Sequence, residues 1–308
     1  MRFLVYSEEP EVGFQLLGRA KTLASETQGE AVALTVDDAS RHFSVGAGRV
    51  VKVDVVDGLD VDSWKDALVK AVKLVVPDVV LIGATKRGKA LAPRVAAAMG
   101  VGCMTDCTSV DIVGGELVVE RLTYGGSTVS RETCKSRPTV VTVPPRTYAM
   151  PEPTGRTGEA VKLMVESPPP RVRVVERRPK HKSTVDLESA PIIVSAGRGF
   201  KAKDDLKILE ELAGVLGAQI GCTRPISADL GWLDQWVGIS GKKVKPSLYI
   251  ACGISGTIQH AAGIRGSQVI VSINSDESAG IHGLSDYSIV GDLYQVVPAL
   301  TRALRARA

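Results

Sequence analysis

The chain has 308 residues, 44% hydrophobic and 23% charged, the composition of a globular protein long enough to bury two separate cores. A formal charge of +4 is too mild to point to nucleic acid, and no apolar run reaches the ~20 residues of a membrane span. Five cysteines, an odd number in a long chain, argue against a disulfide framework.

The first residues, MRFLVYSEE, turn acidic at once, so no signal peptide is expected and cytoplasm is the default compartment. RFLVY (2–6), AVALTV (31–36), VVKVDVV (50–56) and DVVLIGAT (78–85) read as strands. Between them, 11–27 and 60–75 carry apolar residues at helical spacing, as does KRGKALAPRVAAAMG (86–100). Strands alternating with helices of that length imply βαβ units and a parallel sheet covered on both faces. Then the pattern changes. ELVVERLTYGGSTVSRETC and RPTVVTV read as antiparallel strands, with turns at Gly114-Gly115 and Gly125-Gly126. Cys103 and Cys107 are four apart, but no second Cys or His pair with zinc-type spacing accompanies them, so they are expected to be plain thiols.

Residues 144–190 lose regularity under repeated prolines, and the basic run RVRVVERRPKHK spans 171–182. No aromatics are interleaved with it to stack bases, so it reads as a linker and a domain boundary. The expected domains are 1–185 and 186–308. The second restarts the parallel pattern with PIIVSAG (191–197), the amphipathic helix DDLKILEELAGVLG (204–217), a strand around 218–221, SLYIACG (247–253), QVIVSIN (268–274) and YSIVGDL (287–293), closed by a helix. The fold class is α/β: two domains, each a parallel sheet, the second doubly wound.

Ligands of such sheets lie beyond the carboxyl ends of the strands. There the second domain places Arg198 between Gly197 and Gly199, a second arginine in Thr223-Arg224-Pro225, and the tetrapeptide GISG twice, at 238–241 and 253–256. The second copy sits between an apolar strand and TIQHAAG, the strand–glycine turn–helix arrangement whose free N–H groups hold an anion; a tight turn with a capping serine reads equally well. It lacks the G-x-G-x-x-G and G-x-S-x-G patterns. The first copy lies in a loop, where Ser240 could face the polar edge of a planar ligand. His260 follows the second turn closely enough to reach the same ligand, although a lone helical histidine is more often a packed residue. Asn274 and Asp292 are expected at strand ends, as ribose or adenine contacts or as helix caps.

With GRGFK (197–201), TRP (223–225), VGISGK (237–242), PSLYIACGISGTIQHAAGI (246–264), VSINSDESAGI (271–281) and DYSIVGDLYQVVPALT (286–301) in order, the second domain resembles the electron transfer flavoprotein alpha subunit family. TKRGKALAPRVA (85–96) and TYGG (123–126) mark a first domain similar to that family's adenine-nucleotide-hydrolase-like domain. The resemblance implies FAD in the second domain. It implies a separate electron transfer flavoprotein beta subunit as partner, and acyl-CoA or other flavin dehydrogenases as electron donors. A quinone oxidoreductase or similar acceptor completes the set, with no nucleic acid, no direct membrane insertion and no substrate turnover of its own. Position by position, it puts Arg198, Thr223 and Arg224 on FAD-binding positions. Val237, Gly238, Ile239 and Ser240 fall beside the flavin ring, and Ser255, Gly256, Thr257, Ile258, Gln259 and His260 on the phosphate turn and the histidine near flavin O2. Asn274, Asp292 and Leu293 fall on the remaining contacts. On that reading the first GISG serves the ring and the second the pyrophosphate, while Arg224 and His260 stabilise charge on the reduced ring. Thr223 stands where the family commonly has serine, Ser240 where it has threonine, and Ile239 where it has glutamine. The stretch from Arg224 to Val237 is one residue shorter than usual. Two other readings compete: a nucleotide-using transferase or synthetase, for which no nucleophile–base pair or Walker lysine is found, and a non-redox adenine-nucleotide module.

Overall fold

A computed structural model describes residues 1–55, 61–126, 128–165, 175–176 and 186–306. The chain divides into two compact units, Met1–Glu176 and Arg177–Ala308.

Unit one is built on a seven-stranded sheet. Its strands are β1 (Arg2–Tyr6), β2 (Glu30–Thr35), β3 (Arg49–Val55), β4 (Val79–Gly83), β5 (Cys103–Met104), β9 (Thr139–Val143) and β10 (Ala160–Val165), in the order β10-β3-β2-β1-β4-β9-β5. Every pairing is parallel. Helices α1 (Pro10–Glu26), α2 (Ala39–Ser44), α3 (Val61–Val75) and α4 (Lys86–Met99) connect them. Burial explains why β1 and β4 lack the apolar–polar alternation of a half-exposed strand. Phe3 and Leu81 enter one core cluster and Leu4 and Val80 the other.

The antiparallel expectation holds for a three-stranded meander, β6 (Cys107–Val113), β7 (Glu116–Thr123) and β8 (Thr128–Thr133). Gly114 and Gly115 turn its first hairpin at φ +60° and +83°. It fails for TVVTV. That segment is β9, parallel to β4 and buried at all five positions, with Thr139 and Thr142 fully covered. Two threonines made a central strand look half-polar. β10 lies in the stretch read as irregular and pairs in parallel with β3. Most of the basic run 171–182 lies outside the described residues.

Unit two holds a five-stranded parallel sheet, β12-β11-β13-β14-β15, from β11 (Ile192–Ala196), β12 (Gln219–Cys222), β13 (Leu248–Cys252), β14 (Val269–Asn274) and β15 (Tyr287–Val290). Its helices are α5 (Lys207–Leu216), α6 (Ile258–Ile264) and α7 (Leu293–Arg305). Leu209, Leu212 and Val297 pack over one face with Val194 and Ile250, while Ile193, Tyr249 and Ile264 form the other core. The strand order reverses at β11, so the crevice between the ends of β11 and β13 is the switch point where ligands of such sheets bind. YSIVGDL is shorter as a strand than expected: β15 ends at Val290, and Asp292 caps α7, its carboxylate accepting from Tyr294 N at 3.0 Å.

Candidate functional site

The loops leaving β11 and β13 press against each other at the switch point. A Cβ on Gly197 would stand 2.1 Å from the Gly253 carbonyl oxygen, and one on Gly256, at φ +80°, would stand 2.2 Å from Ile281 N. Backbone occupies the space a side chain would need, so both glycines are required by packing. The second GISG is thereby locked as a turn: Ser255 O accepts from Ile281 N at 3.1 Å, and Asn274 Nδ2 donates to Ile254 O at 2.8 Å. Thr257, not Ser255, is the residue preceding α6, and its side chain makes no cap bond. Arg198 stands exposed on the loop after β11, with no ion pair among the described residues.

Beyond β12 a cleft of about 300 Å³ is lined by Thr223, Arg224, Pro225, Trp236, Val237, Gly238, Ile239, Ser240, Thr257, Gln259 and His260. Strand β12 delivers Thr223 to its mouth, with Thr223 N donating to Ala196 O at 2.9 Å. The Thr223 hydroxyl oxygen is buried yet has no hydrogen-bond partner among the described residues. Such a group costs free energy unless something else satisfies it. Arg224 is exposed and forms no ion pair among the described residues. The first GISG closes into a turn with Gly238 N on Lys242 O at 3.0 Å. It lies on α6, with Ile239 N on Gln259 O at 2.9 Å. The helix that begins after one copy is therefore the bed of the other.

Nine of the sixteen expected site residues meet in this cleft: Thr223, Arg224, Val237, Gly238, Ile239, Ser240, Thr257, Gln259 and His260. Arg198, Ser255, Gly256, Ile258, Asn274, Asp292 and Leu293 do not line it. Ile258 is 60% exposed at the start of α6, whereas the Leu293 side chain is buried in the core and leaves only its backbone for a ligand. Asn274 ends β14, its Oδ1 accepting from Asp276 N at 3.0 Å.

His260 differs from its expected role. It is 4% exposed, with Nδ1 3.1 Å from Val237 O and Nε2 3.1 Å from the Tyr249 hydroxyl. A carbonyl can only accept, so Nδ1 carries the proton and Nε2 accepts from Tyr249. Burial lowers the imidazole pKa from 6.5 to about 4. His260 is thus a neutral strut between β13, α6 and the first GISG turn. Trp236, Pro225 and Tyr249 were missed from sequence. Pro225 left a trace in the TRP motif and Trp236 as an aromatic directly ahead of a glycine turn.

Residues 186–265 match the family described as the electron transfer flavoprotein FAD-binding domain, and residues 7–168 match the electron transfer flavoprotein domain. The chain belongs to the electron transfer flavoprotein alpha family. It is 37% identical over 309 residues to the electron transfer flavoprotein subunit alpha of Thermoanaerobacterium thermosaccharolyticum, covering 96% of this chain and 93% of the relative. It is 37% identical to Protein FixB of Azorhizobium caulinodans, covering 96% and 85%, and 32% identical to Protein FixB of Escherichia coli O127:H6, covering 97% of each. Its second unit is accordingly an FAD-binding domain, and its role is electron transfer. The residues present suit that group. The Thr223 hydroxyl, without a partner among the described residues, and Arg224, without an ion pair among them, offer donors to a polar heterocycle. No helix among the described residues is long and apolar enough to cross a membrane.

Proposed function

We propose that this chain is the alpha subunit of a heterodimeric electron transfer flavoprotein. It holds FAD in unit two, pairs with an electron transfer flavoprotein beta subunit, and works in the cytoplasm as a carrier without turnover of its own. Its donors are flavin dehydrogenases, acyl-CoA dehydrogenases among them, and its acceptor is a quinone oxidoreductase or a similar protein. The observation that carries the site assignment is the buried Thr223 hydroxyl without a partner, at the mouth of the cleft that also holds the unpaired Arg224.

FAD supplies the redox chemistry, accepting electrons and passing them on; the chain supplies position and charge. Arg224, lining the cleft, would offer bound FAD a permanent cation and several N–H donors that favour the negative charge reduction brings. A hydrogen bond to a charged group is worth about 1.5–3 kcal/mol, or roughly 60–130 mV for one electron. Ser240 offers a hydroxyl and Ile239, 48% exposed, an apolar contact from the same turn. The turns at 197–199 and 253–257, with Arg198, take the pyrophosphate. Asp292 and Asn274 keep a carboxylate oxygen and an amide N–H for the ribose and adenine edges.

The test is to express the chain with and without its beta subunit, add FAD, desalt, and record absorption spectra during stepwise reduction. Flavin retained by the two-chain complex and reduced in separate one-electron steps establishes the carrier. A two-chain complex that retains no flavin overturns it in favour of a non-redox nucleotide module.

A further inference from the structure

Trp236 belongs to neither the expected site nor the family positions named above, yet it forms a wall of the cleft. Its carbonyl oxygen accepts from Lys242 N at 2.8 Å, which closes the neck of the first GISG turn, and the next residue, Val237, donates to Cys222 O at 2.9 Å. The turn is therefore anchored to the end of β12 on the side where Thr223 and Arg224 leave it. The indole Nε1 donates to Ser240 Oγ at 3.3 Å. A Cβ on Gly241 would lie 2.3 Å from Trp236 O, 2.5 Å from the indole Cδ1 and 2.6 Å from Nε1. The second glycine of this GISG is thus needed by the tryptophan.

An indole N–H is only ever a donor, so Ser240 Oγ accepts from it and one lone pair is consumed. The serine hydrogen is left to be donated, and accepting one bond strengthens the bond a hydroxyl gives. We infer that Trp236 is a positioning residue that holds Ser240 Oγ at the cleft and leaves its O–H free to be donated to a bound ligand. The inference rests on the FAD reading above.

The test is a double-mutant cycle on FAD affinity in the complex with the beta subunit. Trp236→Phe keeps the aromatic wall and removes the N–H; Ser240→Ala removes the hydroxyl. Trp236→Phe is expected to weaken FAD by about 2- to 12-fold with Ser240 present, the worth of one net hydrogen bond, and by less than 2-fold in the Ser240→Ala background. Equal losses in both backgrounds overturn the inference while leaving the FAD reading intact. A wild-type complex that binds no FAD overturns both. A second readout is fluorescence. This chain has three tryptophans, so Trp64→Phe with Trp232→Phe leaves Trp236 as its only one, read as the difference from the complex that also carries Trp236→Phe. Ser240→Ala in that background is expected to shift its emission, and an unchanged spectrum in the ligand-free complex overturns the inference.

Discussion

At the carboxyl ends of their strands the two parallel sheets treat their polar groups differently. In unit one many of these groups are spent on the protein, although Tyr6 Oη at the end of β1 and Glu8 Oε2 just beyond it are buried without a partner among the described residues. Thr85 Oγ1 donates to Glu8 Oε1 at 2.5 Å and accepts from Gly88 N at 3.0 Å, capping α4. Ala84 N donates to Val143 O at 2.8 Å, and Asp106 N donates to Thr142 Oγ1 at 2.9 Å. In unit two the corresponding ends carry Thr223 with no partner for its hydroxyl, arginines without ion pairs among the described residues, and glycine turns stripped of side chains. The same architecture therefore serves as scaffold in one place and site in the other. The difference lies in the few residues after each strand.

The sharpest way to break this contrast is to fill a glycine turn. Gly197→Ala forces a methyl against the Gly253 carbonyl, where backbone and not a flexible side chain must move. It is expected to destabilise unit two by about 3 kcal/mol or more and to abolish flavin retention, read by urea unfolding and by flavin absorbance after desalting.

A second effect separates strut from cation. His260 has a folded-state pKa of about 4 against an ordinary 6.5, so below 6.5 the unfolded chain takes up more protons than the folded one. The stability this neutral ring permits is fully present above 6.5 and is lost as the pH falls towards 4. Measured by denaturant titration, the wild type is expected to lose about 2–3 kcal/mol relative to His260→Gln between pH 7.5 and 4.5. Parallel pH profiles for the two proteins would restore the charged histidine.

Arg224→Ala then tests the cation that remains. The first reduction potential of bound FAD is expected to fall by roughly 60–130 mV. An unchanged potential removes Arg224 from the ring edge.

The smallest expected effects set one threonine against the other. Thr223→Val deletes a hydroxyl with no protein partner, so unfolding stability should hold while FAD affinity drops by about 1 kcal/mol. Thr85→Val deletes a cap and should do the reverse, costing about 1 kcal/mol of stability and leaving FAD affinity unchanged. If both variants behave alike, the distinction between the two sheets is lost.

Much of the fold was legible because parallel strands buried on both faces, such as VVLIG and LYIAC, show as short apolar runs between amphipathic helices. TVVTV was misjudged as antiparallel and β10 was passed over, since pairing direction depends on partners remote in sequence. Val79 meets Thr139, and Val50 meets Ala160. The glycine turns and arginines of the site were visible as local chemistry at strand ends.

The amino-acid order by itself determined the two α/β units, the positions of their turns and the family to which the chain belongs, because these follow from local periodicity and from motifs read in order. Tertiary structure alone decided that His260 is neutral, that Trp236 holds Ser240 and that Thr223 is left unsatisfied. Charge state and hydrogen-bond direction depend on burial and on which groups lie within about 3 Å, and neither is a property of a residue or its chain neighbours.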